Sequence, residues 1–253
     1  MYEESIRAEF AEQADTFARA GELQQDAILG AVLAAVPVDP EARWLEVACG
    51  ASMVGRSLAP QVGAIHGVDL TPAMVERARE EAAAAGLENA DFAVGDATAL
   101  EFEDASFDGA VTRFSLHHIP TPQRVLEEMA RVVRPGGYVV VSDHARDEDP
   151  DVAAWVEEIE RLRDPSHWAC LTPGRMRTIA EAAGLTLDEE RLIPFELDFE
   201  DWRDRSSGGL AAAPLIDRLL AEAPPGAEAF RVIGEGTERR LALVNMVFRW
   251  RRA

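Results

Sequence analysis

Short apolar runs recur through the middle of the chain, at Trp44–Val47, Ile65–Leu70, Asp91–Val94, Gly109–Phe114 and Tyr138–Ser142. They are too short for buried helices and are rich in β-branched residues, so they read as strands. Amphipathic stretches, notably Pro72–Ala85 and Pro122–Val133, separate several of them and read as helices. Thr71-Pro72 has the form of an N-cap followed by proline in the first turn, and Gly86 closes the same helix. "RPGGY" at Arg134–Tyr138 ends the next helix and turns into a strand. Strands alternating with helices predict a parallel sheet covered on both faces.

The flanks differ from the middle. Residues 4–35 read as helix, with Ile6, Phe10, Ala14 and Phe17 on one face and Leu23, Ile28 and Val32 beginning another, until "PVDP" breaks the pattern. After Asp143 the alternation loosens. Helices are expected at 150–163, Thr172–Leu185 and Ala211–Ala223, and strands at Arg191–Phe199 and Arg240–Trp250. Segments 145–172 and 200–238 read as insertions over the sheet rather than as an independent domain. The chain then divides into a helical cover (1–40), a core (41–145), and a region of lid insertions and C-terminal strands (146–253).

Bulk composition narrows the function. A chain of 253 residues buries a substantial core and suits one domain with insertions. Its net charge of −21 argues against nucleic acid and anionic membrane surfaces, both of which call for clustered Lys and Arg. The N-terminus is acidic and lacks the form of a signal peptide, and no apolar run approaches the roughly 20 residues that span a bilayer. Two cysteines, Cys49 and Cys170, make neither a disulfide framework nor a zinc motif. A cytoplasmic protein with a small-molecule partner and no metal is the expectation.

The candidate chemistry starts at "RWLEVACGASMVGRSLAP", residues 43–60. An apolar strand ends in Glu46, passes a small-residue turn and enters a helix, the arrangement that delivers an anionic or nucleotide-like ligand to a helix N-terminus. Such turns usually carry several glycines; here Gly50 stands between Ala48 and Ser52. Three acidic residues, Glu46, Asp69 and Asp96, fall at successive strand ends. Asp69 lies about 20 residues beyond the turn, the spacing at which a carboxylate meets a ribose diol. An acidic residue at a strand end also serves as a helix cap, so the set of three carries the signal rather than any one.

"WLEVACGAS", "HGVDLTPAMVERA", "VGDATAL", "FDGAVTRFSLHHIP" and "VLEEMARVVRPGGYVVVSD" resemble the successive motifs of class I S-adenosylmethionine-dependent methyltransferases, closest to the small-molecule group that includes ubiquinone and menaquinone biosynthesis enzymes. The resemblance is close over residues 40–145. It implies a doubly wound, mostly parallel seven-stranded α/β sheet with a reversed last strand, a Rossmann-like fold with N-terminal helices and lid insertions. It implies S-adenosylmethionine as cofactor, with Glu46, Ala48 and Gly50 at its methionine end and Asp69 on the ribose. Leu70 and Met74 pack near the adenine, Asp96 and Ala97 meet its edge, and Arg113 stands beside the methionine moiety. Met74 reads equally well as a core residue facing the sheet. Phe10, Gln13 and Phe17 match the N-terminal cover. Ser52 departs from the family's glycine; its side chain either crowds the ligand, caps the helix or bonds the ligand carboxylate.

The implied activity is methyl transfer to a small organic acceptor, releasing S-adenosylhomocysteine. Transfer is an in-line displacement, so a base is needed only when the acceptor must lose a proton. His118 and His117, in "SLHHIP", and His144, beside Asp143, are the candidate catalytic residues. Each has a structural alternative: a hydrogen bond that shapes the loop, or an exposed loop position. Trp155, Trp168, Phe195 and Trp202 either wall an apolar pocket or pack the insertions onto the sheet. Two further readings stay open: a methyltransferase-like fold recruited for cyclisation or elimination, and a non-catalytic binding subunit.

Overall fold

The computed structural model describes residues 4, 6, 7, 9–11, 22–227 and 230–253. Helix α1 (Glu22–Ala35) leads into β1 (Arg43–Val47), α2 (Met53–Leu58), β2 (Ala64–Asp69), α3 (Pro72–Ala84) and β3 (Ala90–Val94). The second half of the core is β4 (Phe107–Arg113), α4 (Pro122–Val132) and β5 (Val133–His144). Then come α5 (Pro150–Arg163), α6 (Pro173–Ala182), β6 (Leu185–Asp198), α7 (Phe199–Asp204), α8 (Gly209–Ala221), β7 (Arg231–Ile233) and β8 (Arg240–Arg252). Gln13 and Phe17 lie outside the described residues.

The strands form one sheet in the order β3-β2-β1-β4-β5-β8-β6, with β7 paired to β8. β1 to β5 run parallel, and β8 is antiparallel to both β5 and β6. The order reverses between β1 and β4, which puts the ligand crevice of such a sheet beyond their carboxyl ends.

Alternate residues of each strand feed opposite faces. Trp44, Val111, Val140 and Val247 meet α1 and α2 through Val32, Ala35, Val54 and Leu58. Leu45, Ala110, Val139, Val141 and Phe248 face the other way, against Leu126 and Met129 of α4 and Met176 and Ile179 of α6. Strands buried on both faces are the near-continuous apolar runs seen in the sequence.

Among the described residues the sheet has eight strands rather than the expected seven. Residues 231–233, expected within an insertion, pair with Ala242–Arg240 of β8 across a turn in which Gly234 and Gly236 take positive φ. β5 also begins earlier than expected: Val133 pairs with Phe107 before a bulge, so the "RPGG" stretch belongs to an irregular strand start. Thr71 occupies the N-cap position of α3 but its side chain makes no cap bond; its backbone N–H donates to Asp69 instead.

β6 and β8 pair over their whole length and reach past the end of β5, whose pairing with β8 stops at Asn245. On that overhang a second core assembles from Ile159 of α5, Phe199 and Trp202 of α7, Ile216 of α8, Phe230, and Leu241 and Leu243 of β8. It forms a cap over the carboxyl edge of the sheet. Trp155 and Trp202 pack in or against this core, whereas Trp168 is exposed. Among the described residues no helix is long and apolar enough to cross a membrane.

Candidate active site

The turn after β1 answers the question of the missing glycines. Ala48, Gly50 and Ser52 take φ of 51°, 52° and 55°, so every second residue is left-handed. That conformation is natural to glycine and costs other residues of order 1–3 kcal/mol, so the surroundings must hold it. Cys49 N donates to Val68 O (2.9 Å), Ser52 N to Cys49 O (2.7 Å), and Gly50 N to Asp69 Oδ2 (2.7 Å).

The Ser52 side chain is fully buried and donates from Oγ to Glu46 Oε2 at 2.5 Å. It makes no helix-cap bond and turns inward, away from the roles expected for it. Gly55 N donates to the same Glu46 oxygen (2.9 Å), and a Cβ on Gly55 would stand 2.5 Å from Ser52 Oγ and 2.6 Å from Glu46 Oε2. The serine therefore fills space under Glu46 and Gly55 supplies the remaining room. Burial pushes the Glu46 carboxyl up to about 7, with the Ser52 and Gly55 hydrogen bonds and the Arg113 charge opposing it.

One cavity of about 990 Å³ lies over this edge. Every residue assigned to the cofactor reaches its wall: Glu46, Ala48 and Gly50 from the first turn, Asp69, Leu70 and Met74 from the second, Asp96 and Ala97 from the third, and Arg113 at the end of β4. Met74 is also buried, as a core residue facing the sheet is expected to be. Asp69 accepts Gly50 N on one oxygen and Thr71 N on the other (2.8 Å). Asp96 accepts both Thr98 N and Thr98 Oγ1 on Oδ1 at 2.8 Å. Arg113 lies over the Phe114 ring and donates to Met53 Sδ at 3.4 Å.

His117, His118 and His144 line the same cavity, on the side toward the cap. His117 and His118 are buried and His144 is half-buried, in contrast to the exposed alternative for His144. The "SLHHIP" turn is held by Asp143: His117 Nδ1 donates to Oδ1 (2.6 Å) and His117 N to Oδ2 (3.1 Å). His118 Nδ1 meets the carbonyl and hydroxyl of Ser166 at 3.2 and 3.1 Å, and its ring takes Phe10 edge-on at 4.9 Å. His144 lies between Phe114 (4.7 Å, 21°) and Phe195 (5.9 Å, 17°), and its buried Nδ1 has no hydrogen-bond partner among the described residues. Burial pushes His118 and His144 down to about 3, so both are neutral acceptors at physiological pH.

His167, the fourth of this cluster, is bonded from Nε2 to Glu157 Oε2 (2.7 Å), and Cys170 N donates to Glu157 Oε1 (2.8 Å). Among the described residues Glu157, His167 and Cys170 are the one set close enough to hold a metal ion, and Glu157 there clasps the 164–172 loop to α5.

The cap supplies walls that strand-end patterns do not reveal: Arg163, Asp164, Phe195, Leu197, Trp202 and Arg205. Their only signal in the sequence is aromatic and arginine residues on irregular segments. Glu9 accepts from Ser207 N and Oγ at 2.9 and 2.5 Å, joining the N-terminal segment to the turn between α7 and α8.

A methyltransferase domain model matches residues 45–141. YcgJ of Bacillus subtilis, described as an uncharacterized methyltransferase, is 32% identical over 184 residues, 73% of this chain and 72% of that one. Its crystal structure superposes with a TM-score of 0.84 over 88% of this chain and 97% of its own, at 27% identity. A demethylmenaquinone methyltransferase of Bacillus cytotoxicus is 38% identical over 106 residues, 41% of this chain and 45% of that one. The [4+2]-cyclase SpnF shares the fold at 20% identity, with a TM-score of 0.62 over 90% of this chain and 80% of its own. The matched segment carries the strand ends whose acidic and small residues converge on the cavity, and the chain belongs to the class I S-adenosylmethionine-dependent methyltransferase family.

Proposed function

We propose that this protein binds S-adenosylmethionine in the sheet half of the cavity and transfers its methyl group to a small organic acceptor held in the cap half. The observation that carries the reading is the convergence of Glu46, Gly50, Asp69, Asp96 and Arg113 on one cavity at the switch point. Its size suits two small molecules side by side, at the upper end of the roughly 300–1,000 Å³ of ordinary ligand sites.

The residues fit the cofactor. Gly50 has open space where a Cβ would stand, so ligand approaches its backbone closely. Each Asp69 oxygen accepts one backbone N–H and keeps a second lone pair for a ribose hydroxyl. Asp96 accepts the Thr98 donors on Oδ1, which leaves Oδ2 for an adenine amino group. Glu46 and the Gly50 turn hold the amino acid end, where an ammonium group favours the ionised form of Glu46. When bound, S-adenosylmethionine supplies a sulfonium methyl open to in-line displacement.

The chain's own part is alignment and exclusion of water. The cap and the N-terminal segment close the cavity, and the neutral imidazoles accept a proton from an O–H, N–H or S–H acceptor without first losing one. Asp143 holds His117 in place, Ser166 engages His118 Nδ1, and His144 faces the cap half between two rings. His144 is therefore the first base to test: His144→Phe keeps the stack and removes both nitrogens. The net charge of −21 keeps nucleic acid and anionic membranes out of the list of acceptors. Residues 1–40, 41–145 and 146–253 act in this reading as cover, cofactor core and acceptor cap.

Calorimetric titration of ligand-free protein with S-adenosylhomocysteine tests the proposal. Micromolar binding supports it. No binding overturns it in favour of cofactor-free chemistry on this fold or a non-catalytic subunit.

A further inference from the structure

We propose that the methyl acceptor is an organic acid whose carboxylate docks on Arg205, at the cap end of the cavity. This rests on the reading that the sheet end holds the methyl donor.

The charged groups on the cavity wall are unevenly arranged. The sheet end carries Glu46, Asp69 and Asp96 around Arg113, with the Arg56–Glu81 pair beside them; the cap end carries Arg163, Arg205 and Asp164, and the N-terminal segment adds the exposed Glu4 and Arg7. Two of the three cap groups are fully engaged by the protein. Arg163 donates to Glu160 Oε2 (3.1 Å), Ser206 Oγ (2.8 Å) and Trp202 O (3.3 Å), and its guanidinium lies over the Trp202 ring at 4.7 Å. Asp164 accepts from Ser166 N (2.9 Å), Ser166 Oγ (2.6 Å) and Ser206 Oγ (3.5 Å).

Arg205 is different. Its side chain is 12% exposed, yet among the described residues its one ion pair is with Asp201, a turn back in α7, at 3.5 Å. Asp201 is itself 58% exposed, so water weakens that pairing. Among the described residues Arg205 Nε is buried with no hydrogen-bond partner. Burial with so little compensation is also the leading cause that lowers its pKa. A guanidinium has five donors and is costly to bury unmatched. A ligand carboxylate supplies the missing charge and matches the guanidinium's planar fork.

The space between the two ends fits the rest of such a molecule. Phe195 and Leu197 of β6, with Phe114 and His144 at the ends of β4 and β5, form an apolar and aromatic wall. Phe114, His144 and Phe195 stack nearly parallel, which suits a planar or conjugated body. An acid anchored at Arg205 along this wall presents its far end toward the methyl donor. Binding energy gathered at the remote carboxylate then aligns the reacting atom.

The test uses 2-naphthoate and 2-naphthamide, titrated calorimetrically into the full chain, both ligand-free and saturated with S-adenosylhomocysteine. The acid is expected to bind at least tenfold more tightly than the amide, as a charge-assisted pair implies. Arg205→Gln should remove that preference while leaving the affinities for the amide and for S-adenosylhomocysteine within twofold. Asp201→Asn separates recognition from scaffolding: acid binding is unchanged or tighter if Arg205 serves the ligand, and falls if the ion pair merely holds the cap. Equal binding of acid and amide, no binding of either at millimolar concentration, or a preference that survives in Arg205→Gln overturns the proposal. Failure of S-adenosylhomocysteine to bind refutes the methyl-donor reading alone, because acid preference is read in the ligand-free chain as well.

Discussion

The two halves of the cavity are built by different means. In the sheet half the acidic and small wall residues sit at the end of a strand or in the turn just after it, and they are fixed by neighbours close along the chain or by the adjacent strand. Gly50 is tied to Asp69, Thr98 to Asp96, and Ser52 to Glu46. In the cap half the wall comes from β6, α5, α7 and the turn after α7, brought together by a separate core around Phe199, Trp202, Ile216 and Leu241. The sheet half is therefore a local construction repeated three times, and the cap half is a long-range assembly. That division suits a shared cofactor on one side and an individual acceptor on the other.

Breaking the cap should leave the sheet half working. Trp202→Ala removes a large side chain from the cap core, with an expected loss of about 3–5 kcal/mol in chemical denaturation. S-adenosylhomocysteine affinity should stay within about threefold when measured well below the unfolding transition. A parallel collapse of cofactor binding would show that the halves are one unit.

The next effect belongs to the sheet half. Asp69→Ala should weaken S-adenosylhomocysteine about 10- to 100-fold by calorimetry, the loss of two charge-assisted hydrogen bonds moderated by water that replaces them. Unchanged affinity would refute the ribose assignment.

A pH titration sharpens the comparison. Glu46 is protonated below about 7 in the ligand-free protein, and an ammonium group favours its carboxylate. Binding thus releases a proton, and S-adenosylhomocysteine affinity should rise by up to about tenfold from pH 6 to pH 8 and level above that. Glu46→Gln should flatten the profile. The same raised pKa makes the ligand-free chain lose stability as pH rises from about 4.5 to about 7, since the folded state then keeps a proton the unfolded chain has released. His118 and His144, held near 3, should add no inflection between pH 6 and 7 to the rate profile.

The smallest effect is expected at the residue that looked most anomalous. Ser52→Gly relieves a left-handed strain of about 1 kcal/mol but removes the hydroxyl that serves buried Glu46, so stability and S-adenosylhomocysteine affinity should each change by less than about threefold. A large gain in affinity would mean that the native turn is impaired.

What the sequence determined by itself was the sheet half: the order of strands and helices, the acidic residues at Glu46, Asp69 and Asp96, and the small-residue turn around Gly50. These are legible because burial on both faces makes each strand an apolar run, and the ligand edge then follows where the run stops. The histidines were legible as candidates, but their roles were not. Asp143 engages His117 Nδ1, Ser166 takes His118, and His144 lies in an aromatic stack, all through contacts between segments distant in the chain. The extra strand β7 and the loosely matched Arg205 were likewise decided only by tertiary structure. Each depends on which surface a flexible side chain or a short strand meets. That surface exists only once β6 and β8 have paired and carried the cap over the sheet.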